Sequence, residues 1–238
     1  MYMQFEDFYE VELYKKSGII SIVGPAVTNK KILASNLIKS IHDRTKRDNY
    51  MYKFSITIFS HDVFCDYNRN MGKITINSDW NKLKDYYLIK KYYLKKNKSL
   101  DKEILLFDDN VTQFSLKNKY FQKILANCKK LNLVIIMYSN YFLNFVKSDF
   151  YLLLKDDYSS SQVNIYKKFY KKVMSFDDFK TYFREITKNE GIMIFDNKPV
   201  KKLKKLARLY DADKERRNYK RQDPNYDVIS DESGMRFF

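Results

Sequence analysis

Short apolar runs punctuate the chain at residues 19–23, 54–59, 104–107, 133–138, 150–154 and 192–195. Their hydrophobicity is nearly continuous rather than alternating, the pattern of strands buried on both faces. Between them, apolar positions recur at helical spacing over residues 30–42, 116–130, 163–173 and 176–188. Ser175 with Asp178 three residues later supplies an N-terminal capping arrangement for the last of these. Residues 81–101, dense in Lys and Tyr, predict a further helix lying across the surface. Its Tyr-Lys interleaving reads first as a solvated face and second as a nucleic-acid contact. Strand–helix alternation of this kind predicts an α/β domain, a mainly parallel sheet with helices on both faces.

The first run leads into the chemistry. Ile19-Ile20-Ser21-Ile22-Val23 meets Gly24-Pro25, and Lys30 then opens an apolar-periodic helix. An apolar strand, a glycine turn and a lysine at a helix start form the layout of a phosphate-binding P-loop, G-x-x-x-x-G-K-[ST]. Backbone N–H groups and the positive end of the helix dipole hold phosphate at such a turn. Gly24, Thr28, Asn29, Lys30 and Lys31 are the nucleotide-binding candidates, with Lys30 reaching the outer phosphates. Two positions depart from the pattern. Asn29 stands where the second glycine belongs, a mild loss because Asn tolerates left-handed backbone. Lys31 stands where a hydroxyl would ligate Mg²⁺, and an ammonium group repels that cation. Thr28 carries a hydroxyl, but before the lysine rather than after it. Phosphate binding survives on this reading, with Lys31 replacing part of the metal's charge, while hydrolysis is impaired.

Two later strands add candidates. Ile104-Leu105-Leu106-Phe107 ends in Asp108-Asp109. An acid at such a tip holds the Mg²⁺ shell and its neighbour orients the attacking water, which assigns Asp108 to metal and Asp109 to catalysis. Residues 133–138 end in Ser139-Asn140, where the amide would serve as a sensor beside the γ-phosphate. A plain strand entering a polar loop explains the same residues equally well. The expected cofactors are ATP and Mg²⁺.

Charge and composition sharpen the picture less. The formal charge is +16, from 45 basic and 29 acidic residues, a field that attracts polyanions, nucleic acid first and an anionic membrane second. The abundance of Lys, Asn, Tyr, Ile and Phe also fits an A+T-rich coding bias. Cys65 and Cys128 lie outside any metal-ligand spacing and read as core residues in a reducing compartment; His42 and His61 have no ligand partner at the required spacing. Neither a transmembrane run nor a secretory signal is expected, which predicts an intracellular protein.

The order of these pieces resembles the genome-packaging ATPases of poxviruses and other large double-stranded DNA viruses, in the FtsK–HerA-like P-loop group. The resemblance spans residues 18–197. Gly24-Pro25 match the family's P-loop opening, and Phe59-Ser60-His61 its second strand with a serine-containing turn. Asp108-Asp109 match its acid pair, and Cys128-Lys129-Lys130-Leu131-Asn132-Leu133 its basic-Asn segment. Ser139-Asn140 stand where the family carries Ser/Thr-Gln, and Gly191-Ile192-Met193-Ile194-Phe195-Asp196 match its closing strand. The family's arginines near residues 129 and 147 are lysines here, and lysine lacks the bidentate fork of an arginine finger. The resemblance implies ATP-driven translocation of double-stranded DNA into a capsid by a homo-oligomeric ring, with impaired catalysis in this chain. The alternative is a non-catalytic pseudo-ATPase acting as a DNA-binding or virion scaffold protein. Either role implies capsid-protein partners and a location at a viral assembly site in host cytoplasm or nucleus, or in the virion.

Residues 1–17 read as an N-terminal extension, 18–197 as the ATPase-like domain, 198–222 as a basic amphipathic helix and tail, and 223–238 as a disordered C-terminus. In the tail, Leu203, Leu206, Ala207 and Tyr210 share one helical face. Lys201, Lys202, Lys204, Lys205 and Arg208 lie opposite, with Arg216 and Arg217 beyond. These basic residues are the nucleic-acid-binding candidates; the plainer reading packs the leucines on the domain and leaves the lysines solvated.

Overall fold

The computed structural model describes residues 17–26, 28–47, 55–60, 73–77, 79–96, 100–108, 117–142, 146–188, 191–196 and 208–211. The strands are β1 (Gly18–Val23), β2 (Ser55–Phe59), β3 (Lys73–Asn77), β4 (Glu103–Phe107), β5 (Leu133–Ser139), β6 (Phe150–Leu153), β7 (Gly191–Asp196) and β8 (Arg208–Asp211). The helices are α1 (Lys30–Arg47), α2 (Leu83–Lys95), α3 (Lys119–Ala126), α4 (Ser159–Phe169) and α5 (Phe176–Thr187). The strands form one sheet in the order β3-β2-β4-β5-β1-β6-β7-β8. Pairing is parallel from β3 through β6, while β7 and β8 join antiparallel.

Side-chain alternation sends each strand's residues to two cores. Ile20, Ile22, Ile104, Leu106, Phe150, Leu152, Ile192 and Ile194 pack with Leu33, Ala34, Leu37, Ile38 and Ile41 of α1 on one face. On the other face, Leu105, Phe107 and Ile135 meet Leu83 of α2 and Phe121 and Ile124 of α3. Farther along that face, Val23, Tyr151, Leu153 and Met193 meet Ile165 of α4 and Phe179, Phe183 and Ile186 of α5. The expected mainly parallel α/β sheet with helices on both faces is therefore the observed fold. Ser175 caps α5, its Oγ accepting from the Asp178 backbone N–H at 3.1 Å. Cys128 is a core thiol that donates to the Leu133 carbonyl at 3.1 Å, and burial pushes its pKa up to about 12.

Two strands depart from the sequence reading. β3 is a half-exposed edge strand, and its Lys-Ile-Thr-Ile-Asn alternation lacks the continuous apolar run of the buried strands. β8 runs where the basic helix was expected to reach residue 210: Ile192 pairs Tyr210, Met193 pairs Leu209 and Ile194 pairs Arg208. Hydrogen-bonding groups on the outer edge of β7 need partners, and β8 supplies them. The expected boundary at residue 197 thus precedes the last strand of the sheet. Lys201, Lys202, Lys204, Lys205, Arg216 and Arg217 lie outside the described residues.

Leu106 is fully buried in the central strand β4. Leu106→Ala is expected to destabilise the fold by about 2–5 kcal/mol through lost burial and a residual cavity. Equilibrium denaturation in urea measures this; a change under about 1 kcal/mol would contradict the packing described.

Candidate nucleotide site

The site grows out of the C-terminal end of β1. Val23 pairs Ser139 of β5 on one side and Leu153 of β6 on the other. Pairing continues one step beyond the strand: the Gly24 N–H donates to the Ser139 carbonyl at 3.2 Å, and the Leu154 N–H to the Val23 carbonyl at 2.8 Å. Gly24 is hemmed in at this point. A Cβ on it would lie 2.8 Å from Leu154 Cβ and 2.9 Å from Thr28 Oγ1, so a larger residue must displace the loop or β6.

The turn is tied by its own polar groups. The Thr28 N–H and hydroxyl both donate to the Pro25 carbonyl, at 3.1 and 2.6 Å. The Asn29 carbonyl accepts the Leu33 N–H at 3.0 Å and so begins the helical ladder of α1. Asn29 is not in the left-handed region its type was expected to exploit. Among the described residues, the non-glycine position with positive φ is Asn132, at 53°. The loop needs no second glycine because Asn29 is already joining the helix.

Lys30 folds across this loop. Its Nζ donates to the Gly24 carbonyl at 2.7 Å, to the Pro25 carbonyl, and to Thr28 Oγ1 at 3.2 Å. The lysine is only 5% exposed. Burial lowers its pKa, and the negative charge of Asp156 partly offsets that effect. α1 carries no acid in its first turn but two lysines, Lys30 and Lys31, at the positive end of its dipole. That arrangement is unfavourable without an anion and favourable with one.

The acid on β4 comes to the same edge. Phe107 pairs Met137, so β5 alone separates the acid strand from β1. Asp108 is buried; its Oδ1 accepts the Tyr138 hydroxyl at 2.6 Å and its Oδ2 accepts the Ser60 hydroxyl at 3.2 Å. Lys31 Nζ stands 3.5 Å from Asp108 Oδ2. The position where a P-loop carries its metal-binding hydroxyl therefore places an ammonium against the carboxylate expected to bind metal. These residues do not fit Mg²⁺: the hydroxyl ligand is missing and a cation already faces the acid. Among the described residues, no group of three or more His, Cys, Asp or Glu side chains is placed to hold a metal ion.

Gly24, Thr28, Asn29, Lys30, Lys31 and Asp108 thus lie together at this edge of the sheet. Asn140 follows β5 directly, next to the Ser139 carbonyl that anchors Gly24. Asp109 lies outside the described residues. Arg208 belongs to β8, at the far edge of the sheet from β4 and separated from β1 by β6 and β7. Lys129, at a position where the resemblance called for arginine, lies 3.5 Å from Asp149 within the chain.

Sequence reasoning missed Tyr138 and Asp156 as members of this neighbourhood and named Ser60 only within the turn after the second strand. A signal for Asp156 exists: Leu152-Leu153-Leu154 runs into Lys155-Asp156-Asp157, a second apolar strand ending in paired acids.

Solved structures carry the same topology. The genome packaging NTPase B204 from Sulfolobus turreted icosahedral virus 2, in complex with ATP-gammaS, superposes with a TM-score of 0.51 at 14% identity, covering 76% of this chain and 93% of B204. Its complex with AMP gives 0.51 at 13% identity, covering 76% and 92%. The chain has a P-loop NTPase-like fold. No protein-family model and no curated protein matches its sequence. Among the described residues, no helix is long and apolar enough to cross a membrane.

Two outcomes follow from this geometry. Gly24→Ala is expected to cost about 1–3 kcal/mol in thermal or urea unfolding, because the new methyl overlaps Leu154 and Thr28; unchanged stability would contradict the close approach. Any phosphate binding through the Lys30 ammonium would be present below its pKa and lost as pH rises through it. Because burial lowers that pKa, the loss comes at lower pH than for an exposed lysine. An affinity profile against pH measures the midpoint, which Lys30→Arg should remove from the accessible range.

Proposed function

We propose that this protein is a packaging-ATPase-like nucleotide-binding protein in which the Lys31 ammonium takes the place of Mg²⁺ and hydrolysis is impaired. The observation that carries the reading is the 3.5 Å approach of Lys31 to the buried Asp108 beside a folded phosphate loop. Nucleotide phosphates would be held by the positive end of the α1 dipole and by Lys30, whose ammonium would turn from the Gly24 and Pro25 carbonyls to the phosphate. Lys31 would supply positive charge to the outer phosphate while keeping Asp108 as its counter-ion. A tethered ammonium offers one positive charge and no open coordination positions. It therefore favours binding over the metal-assisted orientation and charge stabilisation that hydrolysis needs. Asp109 and Asn140 keep their proposed roles, orienting water and sensing the γ-phosphate, in whatever turnover remains.

Beyond the pocket, we propose double-stranded DNA and capsid proteins as partners, engaged by a ring of copies. The support is the fold shared with a viral packaging NTPase and the +16 charge of the chain. The basic positions Lys201, Lys202, Lys204, Lys205, Arg208, Arg216 and Arg217 are the proposed phosphate contacts. The matching location is a viral assembly site or the virion. A non-catalytic role, as a DNA-binding or scaffold component, is favoured by the same lysine–aspartate contact.

Nucleotide titration with Mg²⁺ or with EDTA tests the pocket. Wild type is expected to bind ATP about equally in both buffers, and Lys30→Gln to lose binding. Lys31→Thr is expected to introduce Mg²⁺ dependence, with about tenfold tighter binding when the metal is present, because the hydroxyl ligand is restored. Wild-type binding that requires Mg²⁺, or a Lys31→Thr variant indifferent to it, would contradict the proposal.

A further inference from the structure

Asp156 is a buried carboxylate with an unmet need. It lies just past β6, 3% exposed, on the β6 side of the phosphate loop. Its Oδ1 accepts the Tyr158 N–H at 2.9 Å, and its backbone carbonyl accepts Gln162 Nε2 at 2.5 Å. Its Oδ2 is buried with no hydrogen-bond partner. A buried carboxylate oxygen left unpaired is costly, and such groups persist where a ligand completes them. It stands two residues after Leu154, whose N–H donates to the Val23 carbonyl and whose Cβ crowds Gly24, so the carboxylate lies beside the loop, where its charge raises the Lys30 pKa. Two residues on, at the N-terminus of α4, the Tyr158 side chain is 64% exposed.

Lys31 and Asp108 mark the outer-phosphate end, on the β5–β4 side of β1. The segment carrying Asp156 and Tyr158 lies on the opposite, β6 side of β1. We propose that this β6–α4 segment is the nucleoside subsite: Asp156 Oδ2 accepts a ribose hydroxyl, and the exposed Tyr158 ring stacks on the base. The inference rests on the phosphate-binding reading above and adds selection for a nucleoside to it. A charged acceptor meeting a sugar hydroxyl and an aromatic face meeting a base are each sufficient chemistry for the assigned role. Asp157, 68% exposed at its side chain and 3.8 Å from Lys155, has no such role and serves as the control.

The test uses the full chain in EDTA and titrates three ligands: ATP, 2′,3′-dideoxy-ATP and inorganic tripolyphosphate. Wild type is expected to prefer ATP over the dideoxy analogue by about tenfold, the scale of one charge-assisted hydrogen bond. In Asp156→Asn that preference shrinks several-fold, while tripolyphosphate binds as well as before or better; Asp157→Asn behaves as wild type. Tyr158→Ala weakens ATP by about tenfold without touching tripolyphosphate, and Tyr158→Phe keeps the affinity. Equal binding of ATP and its dideoxy analogue by wild type would overturn the proposal without any variant. A ribose preference undiminished in Asp156→Asn would overturn it as well. Failure of wild type to bind tripolyphosphate would remove the phosphate reading and this inference together, whereas tripolyphosphate binding with no gain from the nucleoside removes only the inference.

Discussion

Parallel pairing of β1 between β5 and β6 is the constraint on which everything else depends. All of β1 is buried, and its neighbours are buried on both faces, so no strand of this central set can carry a charge along its length. Charged and polar groups are pushed to the strand ends. Because the strands run the same way, those ends lie together. Gly24, Ser139, Leu154 and Asp108 meet at one edge for that reason, and α1 starts there with its positive pole exposed to it.

Within that edge, the exchange of a hydroxyl for an ammonium at residue 31 changes the site's electrostatics. A P-loop of the usual pattern relies on a diffusible divalent cation to reconcile an acid with a polyphosphate. Here a covalently attached ammonium stands 3.5 Å from the acid, and on the proposed reading it is the reconciling charge. Asp108 is also held by Tyr138 and Ser60, which fix the carboxylate and leave it acting as an anchor for Lys31. Lys30, sharing the helix start, is held on loop carbonyls, and two adjacent lysines at a helix N-terminus make sense once an anion is their partner.

The central strands and most helices were legible because burial on both faces writes itself as apolar runs. Residues 19–23, 104–107 and 133–138 read directly as β1, β4 and β5. The edge strands were not legible. β3 is half-exposed and alternates, and β8 contains Tyr210, the last position of the helical face expected from the sequence, so only the tertiary demand of β7's open edge identifies it. The turn between β1 and α1 and the position of Asp108 at the tip of β4 were readable from one strand-turn-helix pattern and one acid-tipped strand. The Lys31–Asp108 contact was not, since it needs two segments far apart in sequence to be brought into register through β5. Tyr138 and Asp156 stayed hidden for the same reason: a tyrosine in a strand and an acid after one acquire meaning from what they face.

The most direct measurement is a crystal structure of the wild-type protein with ATP-gammaS and Mn²⁺, with anomalous scattering used to locate the metal. Lys31 Nζ is expected to bridge Asp108 and the outer phosphate, with no anomalous peak between them. A manganese peak ligated by Asp108, with Lys31 turned away into solvent, would contradict the central claim that this chain carries its own cation.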